Sequence, residues 1–280
     1  MIKYIHCFGT SYTAGGGYEF NADSPFRNQN SEYIKNLKKE TKTKYPKEEQ
    51  TQFNFSWPGQ LQKLVDSNKI KVLNHAKTGY GNERIYRKAY KIINEPTFNS
   101  NEHLFLIEFS DVGRAEFWSN TLQKYLICNY HFKNYDKDSE SNLDSIGHNY
   151  CYDNGEKIEH LDYVRDIYEK YFYENSSLKD KLFQVEKNID FFRAYLHQNG
   201  IKYLITSGLD DRKYNINYGM KYNGSETDME IHFVDWFQNK KLTIQNDTNQ
   251  LCKDNTHMSM KGCKEISKLV FESIKEKKFI

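Results

Sequence analysis

Three short stretches of this chain carry residues able to do chemistry together. The first is Phe8-Gly9-Thr10-Ser11, with Gly15, Gly16 and Gly17 close behind. It lacks the Lys-Ser/Thr of a P-loop, and its glycines do not fall as G-x-G-x-x-G, so it does not read as a phosphate cradle. Nor is it a G-x-S-x-G elbow, since Thr13 stands where the second glycine would be. What remains is a Ser at the carboxyl end of a strand, where open α/β sheets place their ligands. A Ser there can attack a carbonyl and offer its own N–H to the oxyanion. A Ser beside a helix start is also a common cap.

The second stretch is Asp254-Asn255-Thr256-His257, followed by Ser259 and Gly262. A carboxylate three residues before a His reaches its Nδ1–H within one turn of chain. That contact fixes the tautomer and stabilises the imidazolium formed when Nε2 takes a proton. A surface loop capped by Ser259 is the plainer alternative. Zinc bound by Cys252, His257 and Cys263 would need C-x4-H-x5-C, which is no usual ligand spacing. The third stretch, Asn74 to Ile85, contains Lys77-Thr78-Gly79-Tyr80-Gly81-Asn82. It reads as a strand end, a glycine turn and a helix start. Gly79 can present a bare N–H to an oxyanion, although such turns also serve the backbone alone.

The elements that must position these stretches follow from hydrophobic patterning. Strands are predicted over 2–8, 70–76, 103–109 and 201–206. Helices are predicted from Trp57-Pro58, with Leu61, Leu64 and Val65 on one face, and over 82–93, 177–198 and about 259–277. Strand and helix alternate, which predicts an α/β fold with a parallel sheet. The continuous apolar run of 103–109 suits a strand covered on both faces. The sequence reads as one domain, 1–280, with a polar excursion over 18–55 and an aromatic-rich insertion over 111–175. That insertion lacks a clean period and is expected to form short helices and loops, either a lid that stacks on sugar rings or a private core.

Composition narrows the partners. With 40 Lys+Arg against 38 Asp+Glu the formal charge is +2, and the basic residues are mostly Lys interleaved with acids. That balance argues against a nucleic-acid surface. No apolar run approaches the ~18 residues of a membrane span, so no membrane partner is expected. Five Cys without a C-x-x-C pair, and a start with no charged-then-apolar signal segment, predict reduced thiols in a cytoplasmic setting. Cys7, inside the first strand, reads as core rather than nucleophile.

Taken in order, the Ser near residue 10, the Gly turn after the second strand and D-x-x-H before the last helix resemble the SGNH (GDSL-type) hydrolases. The resemblance spans residues 2 to about 275 but rests on some eight positions. It implies a three-layer α/β/α sandwich, SGNH/flavodoxin-like, around a central parallel sheet. It makes Ser11 the nucleophile, His257 the base, Asp254 the residue that orients His257, and the N–H groups of Ser11 and Gly79 oxyanion donors. No cofactor or metal is implied. Two departures stand out. Thr10 replaces the Asp of the family's G-D-S. The family's Gly-x-Asn-Asp reads here as Phe109-Ser110-Asp111-Val112-Gly113-Arg114, with no Asn. Losing one oxyanion donor costs about 2.7–4 kcal/mol, and Asn82 is the nearby candidate to replace it, its alternative role being a helix cap. Arg114 can clamp a carboxylate or sugar-acid substrate, or pair with Glu83 or Glu116. The expected activity is a serine esterase on a carbohydrate or small ester. An acyltransferase on the same site, or a silent carbohydrate-binding or structural protein, are the alternatives.

Overall fold

The computed structural model describes residues 1–15, 52–110, 112–120, 123–132, 143–148, 170–171, 174–175, 177–207, 228–232, 239–243 and 257–280. The chain divides into two compact units, Met1–Thr78 with Asn101–Leu106 and Phe233–Ile280, and Gly79–Ser100 with Ile107–His232.

In the first unit, β1 (Tyr4–Phe8) pairs in parallel with β2 (Lys71–Asn74), Tyr4 opposite Lys71 and Cys7 opposite Asn74. Between them come α1 (Ser11–Ala14) and α2 (Trp57–Gln62). Ser56 caps α2 by accepting the Gly59 N–H, and Pro58 sits in its first turn, where a missing N–H is harmless. A Cβ on Gly59 would stand 1.8 Å from the Phe53 carbonyl oxygen, so only glycine fits. The Gln62 amide then ties α2 to β2, accepting the Val72 N–H at 2.7 Å and donating to the Ile70 carbonyl at 3.0 Å. The last helix, α5 (Met260–Glu276), is capped by Ser259 and buries Cys263, Ile266, Val270 and Ile274 at helical spacing. Ser267 Oγ donates to the Trp57 carbonyl at 2.9 Å, which holds α5 to α2.

β3 (His103–Phe109) begins in the first unit and ends in the second. The hydrogen-bonded strand order is β2-β1-β3 followed by β7 (Lys202–Ser207) and β8 (Asp228–His232), and β7 pairs with β8 in parallel. The described chain is therefore an α/β protein with a parallel sheet. In the second unit α3 (Asn82–Ile93) buries Ile85, Ala89 and Ile93. α4 (Leu178–Gln198) starts at a Ser177 cap and buries Leu178, Leu182, Val185, Ile189, Phe192 and Leu196. Gly200, at φ 64°, supplies the left-handed turn that leads into β7.

Four expectations change. Residues 111–175, expected as short helices and loops, hold β4 (Arg114–Ser119), β5 (Lys124–Phe132) and β6 (Leu143–His148), a three-stranded antiparallel sheet. Aromatic and β-branched residues suit a pleated surface even when Tyr, His and Asn blur the alternation. α2 ends at Gln62, so Leu64 lies beyond it and is 38% exposed rather than packed with Leu61 and Val65. β2 is shorter than 70–76. β8 was not anticipated at all. The excursion over 18–55 falls mostly outside the described residues.

Candidate functional site

Ser11 is the first residue of α1, directly after the carboxyl end of β1. Thr10 occupies the cap position, and no side chain caps this helix, so Ser11 is not spent as a cap. Gly15 closes the turn in the left-handed region at φ 82°, its N–H bonding the Ser11 carbonyl. The turn is pinned from two sides. Trp57 Nε1–H donates to Thr13 Oγ1 at 3.1 Å, and Asn74 Nδ2–H donates to the Thr13 carbonyl at 2.8 Å. Ser11 itself is 5% exposed.

His257 approaches from the other end of the chain. Its position is set by the two residues that follow, Met258 bridging to Thr243 and Ser259 N–H donating to the Leu242 carbonyl at 2.8 Å. The His257 ring lies 5.7 Å, centroid to centroid, from the ring of Tyr12, the neighbour of Ser11. Among the described residues no hydrogen bond joins Ser11 Oγ to His257. Asp254 lies outside the described residues, as does Cys252. A cavity of about 420 Å³ in this unit opens between α2 and α5 and is lined by Lys63, Lys261, Lys264 and Lys268 rather than by Ser11 or His257.

The remaining predicted residues sit in the second unit. Gly79 is left-handed at φ 86°, and nothing lies within 4 Å of where its Cβ would be, so it is the backbone conformation and not crowding that favours glycine there. Asn82 is neither open nor a cap. Gly81 takes the cap position, and Asn82 holds the chain just past β3, accepting the Ser110 N–H at 2.6 Å and donating to the Ser110 carbonyl at 3.3 Å. Ser110 Oγ adds a bond to the Tyr80 carbonyl at 3.1 Å. Arg114 begins β4, with Nη1 buried and lacking a hydrogen-bond partner among the described residues. The anticipated pair of Arg114 with Glu116 is not formed, because Arg87 takes that carboxylate at 2.5 Å and stacks on the Tyr125 ring at 3.8 Å. Burial drives the Glu116 carboxyl up to about 7 against the pull of Arg87, with nearby Glu83 adding to the rise. Glu83 is itself raised by burial.

Cys7 is fully buried, and burial pushes its thiol well above the ordinary range, so it is core. Among the described residues no group of His, Cys, Asp and Glu is arranged to hold a metal. No described helix is long and apolar enough to cross a membrane. No protein-family model, curated protein or solved structure matches this chain.

One cluster was missed from the sequence. His6 Nδ1 lies 2.9 Å from His75 Nε2, and His6 Nε2 lies 2.8 Å from His103 Nδ1. The rings are nearly parallel, at 12° and 16° to His6. The only hint was a His inside an apolar first strand, with others at the end of the second strand and the start of the third.

Proposed function

We propose that this protein is a serine-dependent ester hydrolase, acting through an acyl-enzyme on a carbohydrate ester or another small ester. One observation carries the reading: Ser11 opens a pinned turn at the carboxyl end of β1, and His257 packs its ring 5.7 Å from that of adjacent Tyr12. His257 Nε2 takes the Ser11 proton as Oγ attacks the carbonyl, and the Ser11 N–H meets the oxyanion. Collapse expels the alcohol, which leaves with the proton from His257. Water activated by the same ring then releases the acid. Asp254 as the residue that orients His257, Gly79 as a further oxyanion donor and Arg114 as a substrate clamp enter this proposal from the sequence alone, whereas Asn82, its amide engaged by Ser110, does not. A fluorophosphonate probe is expected to label the wild type and to fail on Ser11→Ala. An unlabelled wild type, with no turnover of p-nitrophenyl acetate, overturns the proposal.

A silent carbohydrate-binding protein is the second reading. Two observations favour it. Among the described residues Ser11 Oγ is not bonded to His257, and Trp118 is 44% exposed beside Tyr125, edge-on at 5.1 Å. Saccharide-dependent quenching of tryptophan fluorescence that survives Ser11→Ala and vanishes in Trp118→Ala, without any turnover, selects it.

A further inference from the structure

The imidazoles of His75, His6 and His103 form a chain joined by two N···N contacts of hydrogen-bond length, 2.9 and 2.8 Å. A neutral imidazole carries one N–H and one lone pair. Each gap therefore holds one hydrogen, since two would set N–H against N–H. Three neutral rings bring three protons to six nitrogens. Two of these protons fill the gaps. The third sits on an outer nitrogen, either His75 Nδ1 or His103 Nε2. One added proton occupies the other outer nitrogen and leaves both gaps intact. A second has no place except a gap, where it breaks a hydrogen bond.

A metal ion does not fit this arrangement. Two nitrogens that share a zinc ion at about 2.0–2.1 Å stand roughly 3.3 Å apart at the tetrahedral angle. Moreover, His6 presents opposite ring edges to its two neighbours, so the three donors do not converge. The ligand of matching size is a proton.

We propose that His75, His6 and His103 are a proton relay that binds a single excess proton. A proton accepted at the outer nitrogen of one end is matched by release from the outer nitrogen of the other. Each gap hydrogen shifts across its gap, and the chain reverses its polarity with no net change in charge. The surroundings favour proton transfer along the chain over a charge held at its centre. Tyr4 stacks on His103, Phe8 on His75, and Phe105 tilts against His6. Among the described residues Glu102, ion-paired with Lys3 at 2.8 Å, is a charged neighbour of His103, and the chain's amino group also acts on Glu102. Burial first, and then the flanking imidazoles, hold His6 at about 3, so an added proton stays at the ends.

Long-range ¹H–¹⁵N spectra of the full chain, labelled at histidine nitrogens and titrated from pH 8 to 4.5, test the relay. His6 is expected to keep one protonated and one bare nitrogen throughout, while the three rings together take up ~1 proton. His75→Gln should move the His103 resonances although His6 lies between them. His6→Phe keeps a ring in place but cuts the chain, and the two outer rings should then take up ~2 protons. A wild type in which His6 titrates with the others, or in which His103 ignores His75→Gln, overturns the relay. If His6→Phe does not fold, the wild-type spectra and His75→Gln decide alone.

Discussion

His6, in the first unit, is buried among rings and its two nitrogens face other imidazoles, whereas Glu116, in the second, is buried beside a guanidinium. Both burials oppose charge, but they act on opposite proton balances. His6 falls from 6.5 to about 3, so the unfolded chain binds a proton that the native chain refuses. Glu116 rises from 4.5 to about 7, so the native chain holds a proton that the unfolded chain has released. By linkage, the His6 contribution is present above pH 6.5 and is lost as pH falls towards 3. The Glu116 contribution runs the other way, eroding stability as pH rises from 4.5 to 7. One unit is thus weakened by acid and the other is relieved by it. Each buried group is tolerated best while it stays neutral, because a charge taken out of water is far costlier than a polar group.

The largest expected effect comes from removing the cation that makes the second cluster bearable. Arg87→Ala strands Glu116 with Glu83 nearby and should cost about 3–5 kcal/mol at pH 8, as for one partner of a buried pair. The loss should shrink near pH 5, where Glu116 is protonated. Urea melts at the two pH values measure this, and an equal loss at both would dissolve the contrast between the units.

Next in size is the acid limb. His6→Phe removes the buried imidazole, so the stability curve should flatten between pH 6.5 and 3. The wild type loses up to several kcal/mol across that window, at about 1.4 kcal/mol for each pH unit crossed. Glu116→Gln is the mirror experiment and a smaller one. The variant should lack the decline between pH 4.5 and 7, a difference on the order of 1–3 kcal/mol. Paired melts of the two variants sharpen the comparison, since each should erase one limb and leave the other. A variant that erases both would mean that the clusters titrate together.

Local patterning made much of this frame legible. The continuous apolar run of β3 and the helical spacing in α3 and α4 are properties of neighbouring residues, and their bounds follow from them. Ser11 at the head of a turn was equally readable. What stayed hidden is what depends on distant pairing. β4 and β5 are defined by a register that sets Arg114 against Asn129 and Trp118 against Tyr125, and no periodicity announces a register. Arg87 meets Glu116 across 29 positions of sequence, and His6 meets His75 and His103 across 69 and 97. Asn82 looked available as an oxyanion donor because nothing local reveals that its amide is taken by Ser110.

The smallest effect provides the control for the others. Trp57→Phe keeps an aromatic ring in the core but deletes the 3.1 Å bond from Nε1–H to Thr13 Oγ1. A neutral hydrogen bond of this kind is worth about 0.5–1.5 kcal/mol. Neither partner titrates, so the cost should be the same at pH 5 and pH 8, unlike that of Arg87→Ala. The same bond holds the turn that begins at Ser11. If that turn bears a nucleophile, fluorophosphonate labelling should slow in Trp57→Phe by more than the loss of folded protein accounts for. Labelling that simply tracks the folded fraction would separate the Trp57 contact from the reactivity of Ser11 and leave it as a packing bond alone.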